Sequence, residues 1–335
     1  MSLRPDRMTR RLPTLVVVWR ITEHCNLGCP FCGYSSDLER VRHAALPDQV
    51  LSFGAVLGVY ASQRERDVLV SWIGGEPFTW PFLLDVSHEL KRRHGLQIGA
   101  TTNGLLLDSP AVTGRMVEDF GQLTISVDRM RRGRDEGPLL PDTLRSVLAG
   151  IRERTKHVGK GPVLRANTIL MRDNIPEFET LCATLAEWGV EELTFNALGG
   201  RDRPEFHADH ALQDEHIGWL RQELPAIRVR LQRLGLKVLG SDKYIERIAS
   251  AIRGDRVSVP DCRPGTDLVF IDERGRAAPC WATLPDYGIP ITEIPTPADV
   301  AALTGRFAEM RRSHQSPVCL DCASTQVFGK FDAEK

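Results

Sequence analysis

Between residues 14 and 200, short runs of Val, Ile, Leu and Thr alternate with longer amphipathic stretches. The runs predict six β-strands, at residues 15–20, 68–73, 97–101, 123–127, 164–170 and 192–196. Apolar residues at helical spacing predict crossover helices at 48–62, 82–93, 110–120, 141–154 and 176–188. Because strand–helix–strand units build parallel sheets, the alternation predicts an α/β fold, a partial (β/α)6 TIM-like barrel.

The regular alternation ends after a charged amphipathic stretch at 214–234, where Pro225 predicts a broken or kinked helix. Residues 267–271 and 276–281, separated by a turn containing Gly275, then predict a β-hairpin. We therefore expect three parts. They are an N-terminal tail at 1–13, the barrel at 14–235, and a small C-terminal domain of β-hairpin plus helix at 236–335.

The charge balance argues against a polymeric anion as partner. With 43 basic and 44 acidic residues among 335, the chain lacks the basic field that gathers nucleic-acid phosphates. The apolar run at 15–19 is far shorter than the roughly 20 residues of a membrane span. We expect a cytoplasmic protein with no nucleic-acid or membrane partner.

Eight cysteines are grouped as three, one and four along the chain. The first group, Cys25, Cys29 and Cys32, follows the first strand, at the end of the strand where α/β barrels place their chemistry. Three thiolates on one loop can hold three irons of a cubane cluster, whereas structural zinc needs a fourth ligand. His24 could supply that ligand, but its place beside Cys25 is strained for chelation. Zinc therefore stays a minor alternative.

The last group, Cys262, Cys280, Cys319 and Cys322, gives four soft ligands. Such a set suits either a second [4Fe–4S] cluster or an all-cysteine zinc site. The remaining cysteine, Cys182, lies in a predicted helix near Leu181 and Leu185, which predicts a buried structural thiol.

The spacing C-x3-C-x2-C after the first strand resembles the radical S-adenosylmethionine (radical SAM) superfamily. The resemblance implies a [4Fe–4S] cluster whose open iron binds S-adenosylmethionine. One-electron cleavage of this cofactor then gives a 5'-deoxyadenosyl radical that abstracts hydrogen. It also implies a low-potential reductant such as flavodoxin or ferredoxin.

Further segments resemble the cofactor contacts of that family. Gly74-Gly75-Glu76-Pro77 resembles the GGEP motif that receives the methionine ammonium, with glycines that let the backbone approach the ligand, although a plain tight turn has the same residues. The resemblance extends cofactor-binding roles to Phe31, Thr102, Asn103, Ser126, Asp128, Asn167, Arg172 and Asn196. Phe31 could instead be a plain aromatic residue of the core. Asn167 and Arg172 could instead have a solvated or turn-forming role.

The pattern Cys262-x12-Gly275-x4-Cys280 resembles the start of the auxiliary-cluster domains of this superfamily. Four cysteines imply the short twitch variant, with one auxiliary [4Fe–4S] cluster. If Cys262 were left off the cluster, its thiol could return hydrogen to a substrate radical. Cys182 is the second candidate donor.

Superfamily membership leaves the reaction open among oxidation, decarboxylation, epimerisation and C–C bond formation. Peptide-modifying relatives commonly carry an N-terminal recognition domain, so the 24 residues before Cys25 favour a small molecule over a peptide. A single twitch-like unit also resembles enzymes that act on natural-product intermediates of aminosugar or sugar-nucleoside type. A radical SAM maturase of a ribosomal peptide is the alternative. A zinc-binding interaction module is a remote third possibility.

Overall fold

The structure, a computed structural model, describes residues 13–34, 41–130, 141–199, 203–259 and 262–322. The strands of the described chain are β1 Leu15–Thr22, β2 Val68–Gly74, β3 Gln97–Thr102, β4 Gln122–Ser126, β5 Val163–Leu170, β6 Glu192–Ala197, β7 Lys237–Val238, β8 Leu268–Ile271, β9 Arg276–Ala278 and β10 Ile289–Pro290. Its helices are α1 Pro47–Arg64, α2 Leu83–His94, α3 Pro110–Asp119, α4 Pro141–Val158, α5 Phe178–Glu187, α6 Pro204–His210, α7 Asp214–Arg233, α8 Asp242–Ile252, α9 Leu284–Tyr287 and α10 Pro297–Ser313.

One sheet runs through the molecule, in the order β10-β9-β8-β1-β2-β3-β4-β5-β6-β7. Strands β1 to β7 pair in parallel in sequence order, and helices α1 to α5 provide the first five crossovers. The predicted α/β fold and its six barrel strands are confirmed. In parallel sheets the carboxyl ends of all strands lie at one edge, which brings the predicted motifs together.

The core lies between the sheet and its helices. Along β1, Leu15, Val17, Trp19 and Ile21 alternate with half-buried residues, so one face of the strand is fully covered. The Trp19 ring packs 6.0 Å from the Phe53 ring of α1, which contributes to this cover.

The predicted hairpin forms and joins the barrel sheet. β8 and β9 are antiparallel, and β8 lies parallel to β1, with Val16 opposite Leu268. Gly275 in the turn has a φ of 72°, a left-handed conformation that favours glycine. β7, at 237–238, pairs with β6 just beyond the predicted domain boundary at 235. The described strands on both sides of that boundary thus share one sheet.

Helix α7 runs from Asp214 to Arg233 with Pro225 inside it, so the expected break is wrong. Proline removes one helical hydrogen bond, but the helix buries apolar side chains on both sides of it. These side chains are Ile217, Leu220, Leu224, Ile227 and Leu231. Packing therefore holds the helix across the proline. Among the described residues, every helix is too short or too polar to cross a membrane.

Candidate active site

Three half-buried thiols lie on the loop after β1. The loop is tightened by the Cys32 backbone N–H, which donates to the Cys29 carbonyl at 3.0 Å. Burial, with the nearby charges of Cys32 and Asp128, raises the pKa of Cys29 to about 12, and burial also raises the pKa of Cys25. Thiols of raised pKa stay protonated at neutral pH until a metal displaces the proton.

Glu76 organises the segments beside this loop. Its carboxylate is only 1% exposed and accepts hydrogen bonds from the Phe78 N–H at 3.1 Å, the Thr102 hydroxyl at 2.7 Å and the Asn103 N–H at 2.7 Å. Burial nevertheless raises the pKa of the Glu76 carboxyl. The side chain therefore joins the turn after β2 to the turn after β3. The sequence predicted a contact of this segment with a cofactor ammonium but did not indicate this structural role. Pro77 is buried and begins the short 3-10 turn Pro77–Thr79.

The two glycines of this segment are required by packing between protein segments. A Cβ on Gly74 would lie 2.4 Å from the Thr22 carbonyl oxygen, and a Cβ on Gly75 would lie 2.2 Å from that of His24. The N–H of Gly75 donates to the Thr22 carbonyl at 2.8 Å, and that of Glu76 donates to the His24 carbonyl at 2.7 Å. Both glycines therefore allow close contact with the segment that leads to the cysteines, and their approach to a ligand stays a prediction.

Asn103 joins the turn after β3 to the cysteine loop itself. Its side-chain Nδ2 donates to Asn26 Oδ1 at 2.8 Å, and its Oδ1 accepts from the Leu105 N–H at 3.1 Å. In the sequence, Asn26 stands between Cys25 and Cys29, the first two cysteines of the loop. The cysteine loop, the GGEP segment and the TNG turn, which consists of Thr102, Asn103 and Gly104, therefore form one hydrogen-bonded unit at the carboxyl edge of the sheet.

The ends of β4 and β5 supply the next polar groups. Ser126 is exposed where β4 ends, and Asp128 Oδ1 accepts from the Ile169 N–H at 2.6 Å. Asn167 on β5 accepts through Oδ1 from Thr194 Oγ1 at 2.9 Å and from Asn196 Nδ2 at 3.0 Å. The structure therefore brings Asn167 and Asn196 together and aligns Asp128 beside them along the same edge.

Tyr244 of α8 is a residue of this network that the sequence did not indicate. Its hydroxyl donates to Asn196 Oδ1 at 3.1 Å, and its ring is 4% exposed. The two residues are 48 positions apart, and no motif surrounds Tyr244, so local sequence carries no sign of the pair.

Phe31 and Arg172 both border helix α6. The Phe31 ring, half-buried, lies 6.1 Å from the Phe206 ring, which stacks at 3.8 Å on His210. The Arg172 N–H donates to the His210 carbonyl at 2.8 Å, and its buried Nε has no hydrogen-bond partner among the described residues. A buried unpartnered guanidinium N–H is a feature that an anionic or hydroxyl-bearing ligand would satisfy. The alternative of Phe31 as a core residue is not what the structure shows.

Cys182 is placed away from these groups. Its side chain is 0% exposed in the hydrophobic core on α5, between Leu181 and Leu185 in sequence, and burial raises its pKa strongly. This burial argues against Cys182 as a hydrogen donor to a substrate and agrees with the predicted structural thiol.

The four C-terminal cysteines line a single cavity. Cys262, Cys280, Cys319 and Cys322 share it with Trp281, Thr283, Tyr287 and Arg311, among others. Two arginines contact cysteines of this cavity. Arg311 Nη1 lies 3.2 Å from Cys262 Sγ, and Arg247 Nε donates to the Cys322 carbonyl at 2.6 Å. Residues separated by 60 positions in the sequence thus present four sulfurs to one space.

The hairpin that carries Cys280 is fastened to β1, which carries the first cysteine loop. Arg20 Nε on β1 donates to Glu273 Oε2 at 2.6 Å, and its Nη1 donates to the Tyr34 hydroxyl at 3.3 Å. The guanidinium also lies 5.7 Å from the Phe270 ring centre. Arg20 therefore links the two cysteine-bearing segments directly.

Neither cysteine group has the geometry of a single-ion site. Among the described residues, no three His, Cys, Asp or Glu side chains converge closely enough to hold one metal ion. A cubane places each thiolate on a different iron, so its cysteines need not converge on one point. Three and four thiolates on loops around open space fit such a group by donor chemistry.

Comparison with known proteins decides the family. Residues 19–136, from β1 through the GGEP and TNG segments, match the model of the Radical SAM superfamily. Residues 19–136 therefore form a radical SAM domain. Enzymes with this domain use a [4Fe–4S] cluster with S-adenosylmethionine.

Curated relatives are similar to this chain over different shares of its length. The probable GTP 3',8-cyclase of Sulfurisphaera tokodaii is 29% identical over 206 residues, which are 60% of this chain and 62% of that protein. The PqqA peptide cyclase of Gluconobacter oxydans is 25% identical over 329 residues, 94% of this chain and 84% of the relative. The chain thus spans about three fifths of the length of the cyclase from Sulfurisphaera.

Solved structures agree on the fold. Streptococcus suis SuiB bound to S-adenosylmethionine superposes with a TM-score of 0.65 at 17% identity, over 95% of this chain and 72% of SuiB. SuiB bound to precursor peptide SuiA also superposes with a TM-score of 0.65, at 15% identity, over 95% of this chain and 71% of SuiB. This likeness places the described sheet and helices in the radical SAM fold.

Proposed function

We propose that this chain is a two-cluster radical SAM enzyme that oxidises a small-molecule natural-product intermediate of aminosugar or sugar-nucleoside type. The observation that carries the proposal is the meeting of four C-terminal cysteines in one cavity, on a hairpin paired with β1. Residues 236–335 would form the auxiliary domain, although their hairpin shares the barrel sheet.

In this proposal, Cys25, Cys29 and Cys32 hold the first [4Fe–4S] cluster, and Cys262, Cys280, Cys319 and Cys322 hold the second. When bound, the first cluster with S-adenosylmethionine supplies the hydrogen-abstracting radical, and the second supplies an acceptor for an electron of the substrate. A flavodoxin or ferredoxin would be the electron donor. The raised thiol pKa values mean that loading either cluster releases protons.

The residues around the first cysteine loop would bind S-adenosylmethionine. The hydrogen bonds of Glu76 fix the backbone around Gly74, Gly75 and Pro77, so that segment would meet the methionine end of the cofactor as a preformed surface. The other proposed binding residues are Phe31, Thr102, Asn103, Ser126, Asp128, Asn167, Arg172 and Asn196. Of these, the Arg172 guanidinium has a buried N–H that a ligand oxygen could accept.

Iron is favoured over zinc in the second site by the neighbouring radical SAM domain, because the Cys262-x12-Gly275-x4-Cys280 pattern resembles the auxiliary-cluster domains that accompany it in this superfamily.

Oxidation is favoured over epimerisation by the surroundings of Cys262. An epimerase needs a thiol that is free to return hydrogen, whereas Cys262 lines one cavity with the three other C-terminal cysteines, where a fourth cluster ligand would lie. With Cys182 buried in the core, the described chain offers no second cysteine in that position. The substrate would therefore lose one hydrogen atom to the radical, and one electron and one proton afterwards.

Alanine in place of Cys280 or Cys322 tests the role of the second cluster. We expect both variants to form 5'-deoxyadenosine uncoupled from product, because the first cysteine loop is intact. The Cys182→Ala variant is the matched control and should couple the two as the unmodified enzyme does. Normal product formation by Cys280→Ala and Cys322→Ala with zinc bound would contradict the proposal. So would deuterium from D2O that enters the product and vanishes in Cys262→Ala.

A peptide substrate is the second candidate, because the match to PqqA peptide cyclase extends over 94% of this chain. The similarity to GTP 3',8-cyclase, at 29% identity, supports the small-molecule candidate instead. The two are separated by measuring 5'-deoxyadenosine formed per minute with a set of aminosugars and sugar nucleosides, and with short peptides encoded beside the gene. Stimulation by a peptide alone would replace the small-molecule proposal.

A further inference from the structure

Arg311 of α10 brings a full positive charge into contact with a cysteine sulfur of the second site. Its Nη1 donates to Cys262 Sγ at 3.2 Å, and its Nη2 donates to the Val259 carbonyl. The second contact anchors the guanidinium to the chain segment just before Cys262. The fork of the arginine is thereby directed into the cavity rather than towards solvent.

The positive charge of Arg311 acts on two cysteines of the cavity. Burial raises the pKa values of Cys262 and Cys319, and the Arg311 charge opposes the rise at both thiols. Cys262 precedes the hairpin, whereas Cys319 follows α10, and both line the cavity that Arg311 also lines. Asp286 lies near enough to act on Cys319 in the opposite sense, but its effect is the smallest of those named there.

We propose that Arg311 sets the reduction potential of the second cluster, by donating a charge-assisted hydrogen bond to the Cys262 thiolate and by holding a positive charge beside Cys319. This inference rests on the proposed two-cluster function. Hydrogen bonds to ligating sulfurs and local charge are two of the factors that set cluster potentials. Arg311 is a positioning residue here, since it would act through the ligands.

The sign of the effect follows from charge. Adding an electron to a cluster held by four thiolates makes an already negative group more negative, and a fixed cation stabilises that reduced form. Arginine keeps its charge at all working pH values. Arg311 therefore raises the potential, which suits a cluster that accepts an electron from the substrate.

The neighbouring Arg312 provides a matched control. Its side chain is 68% exposed and pairs with Glu309, its Nε lying 3.2 Å from Oε2. The Arg312→Gln substitution removes the same charge from the same helix without removing a hydrogen bond to sulfur. The comparison thus separates the contact with Cys262 from a general loss of positive charge.

The experiment is a potentiometric titration of the reconstituted full-length enzyme, followed by electron paramagnetic resonance. Adding S-adenosylmethionine shifts the signal of the first cluster, and the signal that does not shift belongs to the second. We expect Arg311→Gln to lower the second potential so that its reduction equilibrium changes at least about tenfold, or 59 mV for one electron. Arg311→Lys should retain most of the potential, and Arg312→Gln all of it.

Equal potentials in Arg311→Gln and Arg312→Gln would overturn the inference. Loss of the second cluster's iron from both Arg311 variants would overturn it as well, because Arg311 would then serve to assemble the site. The proposed function fails in a different way. In that case the unmodified enzyme would bind about four irons and show the cofactor-sensitive signal alone.

Discussion

At the scale of single residues, Glu76 is buried, and both oxygens of its carboxylate accept hydrogen bonds from the protein itself. Three donors from two turns meet its carboxylate, and the cysteine loop is tied to the same turns through Asn103 and Asn26. A change at this side chain therefore disturbs the whole edge of the sheet where S-adenosylmethionine would bind.

Replacing Glu76 with glutamine tests this role. The amide group of glutamine would face a backbone N–H donor in place of an acceptor oxygen, and a buried donor without a partner costs about 1–3 kcal/mol. We expect the Glu76→Gln variant to lose about that much free energy of unfolding in urea and to bind S-adenosylmethionine more weakly. Glu187 is exposed at the end of α5, so Glu187→Gln should change stability by less than about 0.5 kcal/mol. Equal stability of the two variants would contradict the account.

The residues of the first site could be predicted because each belongs to a short motif after a strand. Cys25, Gly75 and Asn103 all lie within a few positions of a strand end, where parallel strands bring side chains together. Tyr244 could not be predicted in this way. Its contact with Asn196 depends on how α8 packs on the sheet, and no local pattern encodes that packing.

At the scale of elements, helix α7 shows packing overriding a local preference. Pro225 is exposed in the middle of the helix, and a proline there costs roughly 3 kcal/mol relative to alanine. The five buried apolar residues of the helix offset this cost. A sequence reading that weighs proline alone therefore predicts a break that does not occur.

The Pro225→Ala substitution should stabilise the protein, because it restores an N–H donor for the Arg221 carbonyl four residues earlier. We expect the free energy of unfolding to rise by about 1–3 kcal/mol. Pro297 begins α10, a position where proline is well accommodated, so Pro297→Ala should give no gain. Similar gains from both substitutions, measured by urea unfolding, would show that the restored helical hydrogen bond at position 225 is not the reason.

At the scale of the whole molecule, one continuous sheet carries the loop of Cys25, Cys29 and Cys32 after β1 and Cys280 after β9. The hairpin was predicted from its turn and alternating pattern, but its parallel pairing with β1 joins residues some 250 positions apart. Such pairing leaves no mark in local sequence, and neither does the Arg20–Glu273 contact that supports it. The described structure thus couples the two sites more closely than separate domains would.

The most direct test of the account is the iron content of the anaerobically reconstituted enzyme beside its Cys25→Ala, Cys29→Ala, Cys32→Ala triple variant. Three and four cysteines suit two cubanes, so we expect about eight irons in the unmodified enzyme and about four in the variant. The variant should also lose all cleavage of S-adenosylmethionine, measured as 5'-deoxyadenosine, while circular dichroism shows it folded. Retained cleavage, or a variant with no iron beside an unmodified enzyme with about four, would contradict the two-cluster account.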